Sequence, residues 1–292
     1  MKNVTLILDL LKSSLSSKNE LEWIENKYNY LNESFKASAY YLAFSSCTRY
    51  INASVPQIIL EENNLKALSS VYPNFGKMGW MTDELVRVLL MCVVPIDQNK
   101  KILDQQFSTA DYRETIALYK GLYLLENAAE FEYRVADGLR TNMSGIFDAI
   151  CLYNPYSYQF LKEAAWNQTV LKAMFMERPM YKIFRIEARK NEQLAHIFLD
   201  YANERWSAKR KVSPELWRFI SGFVDEVIFK DIQRLISSGD ELEINAAIRA
   251  TIESNYDPGI KWLEQQQLLI KDVPSWDEIG ILYERAISNT SF

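Results

Sequence analysis

The segment "EAAWNQTVLKAMF", residues 163–175, sets the fold class. Trp166, Val170 and Met174 recur at a spacing of four, and Leu171 stands just round the edge of the same arc. That is the period of a helix with one buried side. One residue resists the pattern. Asn167 falls inside the apolar arc, not opposite it. A buried amide without partners costs about 1–3 kcal/mol. Asn167 therefore either ties a neighbouring loop's backbone in place or faces a polar pocket within the helical core.

The same period runs outward in both directions, and strand-like alternation is scarce. Starts and stops are well marked. Thr82 can cap "DELVRVLLMCVV", which ends before Pro95. Ser108, with Asp111 three residues on, resembles a capping arrangement for "YRETIALYKGLYLL". Ser213–Pro214–Glu215 offers a cap, a first-turn proline and a first-turn acid for a helix that Gly239 ends. Asp257–Pro258 starts another, and Ser275 with Glu278 starts the last. The expected fold is all-α, a multi-helix bundle or an arc of antiparallel helical hairpins. A degenerate HEAT-like solenoid belongs to the same class, and no sheet is expected. No fixed repeat is evident. Residues 50–80, with Pro56, Pro73, Asn74 and Gly76, are the least regular part and read as an irregular connection. With no low-complexity linker, residues 1–292 read as a single helical domain.

Composition agrees and removes several functions. The 292 residues hold only 9 glycines and 8 prolines, so few turns are specified. The 17 Tyr, 14 Phe and 7 Trp suit thick interhelical cores, or a groove for something flat and partly apolar. A net charge of −5 disfavours a general nucleic-acid binder. Cys47, Cys92 and Cys151 lie far apart and form no CxxC pair, so they read as reduced, buried thiols. In "MKNVTLILDLLKSSLSS" the apolar run is broken by Asp9 and no small-residue cleavage site follows, so it reads as an amphipathic first helix. No stretch approaches the roughly 20 apolar residues of a membrane span. The expected compartment is the cytoplasm, with no membrane span and no nucleic acid.

Several polar residues stand out. Arg140, Thr141 and Asn142 precede an apolar helix in "GLRTNMSGIFDAICLYNPY", residues 138–156. Thr141 or Asn142 can cap it, and a helix start beside an arginine can receive an anion. Equally, Arg140 can pair with a carboxylate. Asn154–Pro155 reads as turn chemistry. In "HIFLDYANERWSAKRK", residues 196–211, His196, Asp200 and Glu204 align at spacings of four. Leu194, Ile197, Phe198 and Tyr201 define the buried face, and the chain's single histidine lies nearly opposite. A solvated face outweighs a metal site, so neither a metal nor a cofactor is expected. A Ser-His or Cys-His nucleophile has the same weakness. Lys209, Arg210 and Lys211 complement a helix C-terminus, with anion binding the minority reading. There is no GxGxxG, no GxxxxGK[ST] and no pair of DDxxD helices.

Three segments taken together carry a resemblance. "RTNMSGIFDAICLYNPY" (140–156), "EAAWNQTVLKAMF" (163–175) and "LDYANERWSAKRKVSPELWR" (199–218) resemble the EboA-domain family in order and spacing. "GWMTDELVRVLLM" and "STADYRETIALYKGLYLL" resemble weaker family segments. The likeness is clearest over residues 79–235. The family pattern commonly has a histidine where this chain has Asn203, and an amide cannot shuttle a proton near neutral pH.

The resemblance implies a pathway and not a reaction. The family is associated with a gene cluster whose members resemble a UbiA-like prenyltransferase, a TatD-type metal hydrolase, a sugar-phosphate cyclase, a sugar-isomerase-like barrel and a phosphodiesterase. That cluster is implicated in making or exporting a small metabolite. Arg140, Asn142, Asn167, Asp200, Glu204 and Arg205 fall in the resembling segments. They are expected to converge on one ligand pocket with Trp166 and Tyr201 as apolar walls, or to form a buried structural network. A binding or accessory protein for the metabolite or a cluster enzyme follows from the first arrangement. An enzyme acting on a cyclitol- or phosphate-bearing intermediate, with Arg140 holding an anion and Glu204 or Asp200 as acid or base, is the alternative. A scaffold that recruits partners through an arc of helices is the third reading.

Overall fold

The computed structural model describes residues 2–52, 62–268 and 272–290. Residues 53–61, within the connection expected over 50–80, lie outside them. The fold is all-α, with no sheet among the described residues. The chain divides into two compact units, Met1–Thr169 and Val170–Phe292. The division falls inside the helix of residues 163–175, not in the irregular stretch over 50–80.

The N-terminal unit contains α1 (Lys2–Ser14), α2 (Lys18–Glu33), α3 (Ala37–Tyr50), α4 (Glu62–Val71), α5 (Thr82–Cys92), α6 (Ile96–Thr109), α7 (Tyr112–Gly121), α8 (Glu132–Leu139), α9 (Ser144–Cys151) and α10 (Pro155–Phe160). α11 (Glu163–Phe175) follows, with the bounds that its apolar period sets. α1 is amphipathic as expected, burying Val4, Ile7, Leu10 and Leu11. α5 is the centre, packed by α1, α3 and α7. Every residue from Thr82 to Met91 is buried, charges included.

Burying those charges requires partners. Asp83 accepts from Arg87 one turn on, and from Arg113 on α7 at 3.0 Å. Arg87 Nε donates to the Phe44 carbonyl at 3.3 Å. Lys120 donates to Glu84 at 2.7 Å and to the Gly79 carbonyl at 3.1 Å. Glu84 also takes the Met81 N–H at 2.9 Å. Thr82 is the first helical residue and not the cap; Met81 holds the cap position, and its N–H is the one Glu84 takes. Likewise α7 is capped by Asp111, which exchanges hydrogen bonds with Glu114 at 2.8 and 3.1 Å. Ser108 lies inside α6, where its hydroxyl donates to the Gln105 carbonyl.

The C-terminal unit contains the last turns of α11, then α12 (Glu192–Ser207), α13 (Glu226–Ile236), α14 (Glu241–Glu253), α15 (Asp257–Gln265) and α16 (Trp276–Thr290). Short 3-10 turns cover Met180–Lys182, Ile186–Arg189 and Pro214–Phe219. The last of these packs against α12, α14 and α16. Ser213 caps it as expected, accepting from the Glu215 N–H at 3.3 Å. The helix does not run on to Gly239. Gly222 takes φ +95°, a left-handed conformation that breaks it, and Asp225 caps α13 afresh. Asp257 and the Ser275/Glu278 pair open α15 and α16 where the sequence places them.

Candidate functional site

The C-terminal unit holds a cleft of about 330 Å³. Its walls come from the end of α11 and the turn beyond it, the end of α12, the segment 211–215, and one face of α16. The local chemistry of each wall follows from how its helix stops or starts.

α11 stops with Glu177 at φ +53°, after which the Arg178 N–H returns to the Ala173 carbonyl at 2.9 Å. This left-handed closure turns the chain at Pro179. The Met180 and Tyr181 N–H groups then lack helical acceptors, and both donate to Glu215, at 3.1 and 2.8 Å. Arg218, fully buried, approaches the same carboxylate at 3.2 Å and Glu187 at 3.0 Å. Burial pushes the Glu215 carboxyl above its ordinary value, against the opposing pull of Arg218 and the two N–H groups.

α12 stops in the same way. Lys209 takes φ +56°, and the Arg210 N–H returns to the Arg205 carbonyl at 2.8 Å. The Arg205 guanidinium donates through Nε and Nη2 to the Lys211 carbonyl, at 2.9 and 2.8 Å. This fork fixes the plane of the side chain and leaves Nη1 without a protein hydrogen bond among the described residues. Tyr201, one turn earlier, lies under the guanidinium at 5.9 Å from the ring centre. Phe175 meets the Tyr201 ring edge-on at 5.2 Å.

α16 contributes Tyr283, Glu284, Ile287 and Ser288, which share one helix face. Glu284 accepts from Tyr181 at 2.6 Å and Lys182 at 2.7 Å. Burial pushes its carboxyl up, but these two donors outweigh it and hold the group below its ordinary value. Burial raises the Tyr283 phenol.

Two of the residues singled out in the sequence, Tyr201 and Arg205, line this cleft. Asp200 and Glu204, on the same helix, are exposed and do not line it. That placement removes them as an acid or base enclosed with a substrate, because the buried face of α12 is set by Leu194, Phe198 and Ala202. In the N-terminal unit Arg140 is exposed and pairs with Asp137 at 2.8 Å. Asn142 is exposed as well. Neither Thr141 nor Asn142 caps α9. Met143 holds that position, and the Thr141 hydroxyl takes the Met143 N–H at 3.2 Å. Trp166 is fully buried, so it forms core and not an open wall. Asn167 is buried and has a partner.

Other readings resolve similarly. His196 is exposed, 3.7 Å from Glu192 on the solvated face. Asn203 is exposed and donates to the Leu199 carbonyl at 3.1 Å, so the position holds no buried proton relay. Asn154 does more than turn the chain. It caps α10 and donates to the Ala149 and Tyr119 carbonyls, at 2.8 and 3.3 Å. Cys47 and Cys151 are buried, and Cys92 is half-buried. Among the described residues no three of His, Cys, Asp and Glu gather as metal ligands, and no helix is long and apolar enough to cross a membrane.

Lys211 enters the cleft from the run Lys209–Lys211, for which anion binding is the minority reading of the sequence. Glu215, Tyr283 and Glu284 are not among the expected site residues, and of these only Glu215 carries a signal. It forms an i, i+3 pair with Arg218 inside the apolar run Leu216–Ile220, which marks buried charge.

The family model described as "Metabolite traffic protein EboA" matches residues 4–221, about three quarters of the chain. The chain belongs to the EboA family. No curated protein and no solved structure matches it. The EboA match takes in Tyr201, Arg205, Lys211 and Glu215 of the cleft, whereas the α16 wall lies beyond it.

Proposed function

We propose that this EboA-family chain binds a small metabolite in the cleft of its C-terminal unit and serves that metabolite's traffic as a binding or accessory protein. The observation that supports this reading is the cleft itself. Its volume, about 330 Å³, is at the lower end of the range that small-molecule sites occupy. It combines aromatic surface from Tyr201 and Tyr283 with polar groups held by second partners. Such groups are pre-organised, so binding costs little ordering. The cluster enzymes implied by the family, a UbiA-like prenyltransferase among them, are the natural donors and acceptors of the cargo.

Native mass spectrometry tests the reading. The chain is purified gently from cells expressing the whole cluster and compared before and after denaturation. A discrete mass lost on denaturing, and absent from a Tyr201→Ala variant, is the expected result. A bare chain mass in both preparations overturns it.

A further inference from the structure

We propose that the cleft is selective for a small amphipathic molecule carrying one oxyanionic group, a carboxylate or a phosphate, received by Arg205 and Lys211. This deepens the metabolite-binding reading and rests on it. Three carboxylates line the cleft, Glu177, Glu215 and Glu284, yet two are already committed. Glu215 is bound to two backbone N–H groups and Arg218, and Glu284 to Lys182 and Tyr181. Neither Arg218 nor Lys182 lines the cleft, so both acids are satisfied from behind. The cations differ. Arg205 spends Nε and Nη2 on a neutral carbonyl, which holds the fork in place without cancelling its charge. Lys211 lines the cleft and makes no ion pair among the described residues.

A fixed guanidinium with a spare N–H and an ammonium without an ion pair, lining one cleft, can together recognise an oxyanion. Tyr201, beneath the guanidinium, and Ile287 on the facing helix supply apolar surface for the rest of the ligand. Glu177, exposed at the rim, disfavours a second acidic group on the same molecule.

The test uses three probes of one size: phenyl phosphate, benzoate and benzyl alcohol. Binding to the full chain is read by ligand-observed NMR titration. The proposal expects at least one anion to bind about tenfold more tightly than benzyl alcohol. The stronger of the two identifies the acid. Lys211→Gln keeps the backbone carbonyl that anchors Arg205, and it should weaken the anion about tenfold while benzyl alcohol is unchanged. Arg205→Gln should do the same, with circular dichroism verifying the fold. Equal binding of all three probes overturns the anion selectivity and leaves the metabolite cleft standing. Anion binding that neither substitution weakens also overturns it. Binding of none of the probes overturns the cleft reading together with the selectivity.

Discussion

Gly280 of α16 faces Glu215 so closely that a Cβ at position 280 would stand 2.6 Å from the Glu215 Oε1 atom. The same Cβ would meet Tyr181 Cβ at 2.8 Å. Glu215 cannot swing aside without giving up the Met180 and Tyr181 N–H groups and Arg218. The absence of a side chain at 280 thus lets α16 form a cleft wall.

Gly280→Ala follows directly. Alanine favours a helix over glycine by about 1 kcal/mol. Overpacking against a fixed network costs about 1–3 kcal/mol and should win. The variant should unfold at lower urea than the parent and bind cleft ligands more weakly. A stabilised variant with unchanged binding would show that α16 does not depend on this contact.

The charges on α5 give a second prediction. Asp83 is fully buried and serves Arg87 and Arg113. Asp83→Leu strands the buried Arg87 guanidinium and should cost about 3–5 kcal/mol. Replacing both, Asp83→Leu with Arg87→Met, should cost less than the sum of the single changes, because the stranded charge is gone. Urea unfolding of the four proteins measures the coupling. Strict additivity would mean the two residues do not act as a pair.

Asn167 gives a third prediction. It is buried and has a partner, and the expected role is a structural one. Asn167→Leu should destabilise by about 1–3 kcal/mol, the cost of leaving a buried polar group without its partner. It should leave benzyl alcohol binding unchanged, as Asn167 does not line the cleft. Unchanged stability would refute the structural role.

The helices were legible because apolar residues repeat at three and four wherever a helix buries one side, and α11 matched its sequence bounds. Caps were less legible. Ser108 and Asp111 both suit a helix start, and only the Asp111–Glu114 exchange decides between them. The break at Gly222 was hidden because Phe223 and Val224 continue the apolar pattern across it. The cleft was the least legible part. Tyr201 and Arg205 share a helix, but Glu215 and Tyr283 reach the same space from segments far apart in the chain. Spacing within one helix carries no information about such a meeting. Arg140 and Asn142 drew attention by lying beside a helix start, where exposure is ordinary.

The cysteines give a prediction about reactivity. Burial pushes the Cys47 and Cys92 thiols up to about 12. Almost no thiolate exists at neutral pH, and the thiolate is the nucleophile. Iodoacetamide at pH 7.5 should leave both unmodified in the folded chain and label them in urea, read by peptide mass. Rapid labelling of either in the folded protein would contradict the packing around it.

The last prediction concerns acid. Glu253 accepts from Trp276 at 2.8 Å and from Ser221, with Arg249 at 2.9 Å. Burial pushes its carboxyl up, but these partners and Lys190 outweigh burial, and the group sits below its ordinary value of 4.5. The folded chain therefore binds this proton less readily than the unfolded one. The stabilisation is fully present above the unfolded value and is lost as pH falls through the folded one. Glu284 has the same sign. Glu215 has the opposite sign, since burial raises it; its contribution is largest in acid and fades as pH rises from 4.5 through its raised value. Stability measured by urea from pH 6 to 3 should fall on acidification, less steeply in Glu253→Gln and more steeply in Glu215→Gln. Glu253→Gln falling as steeply as the parent would remove Glu253 from the acid response. Glu215→Gln matching the parent would mean that burial does not control the Glu215 proton.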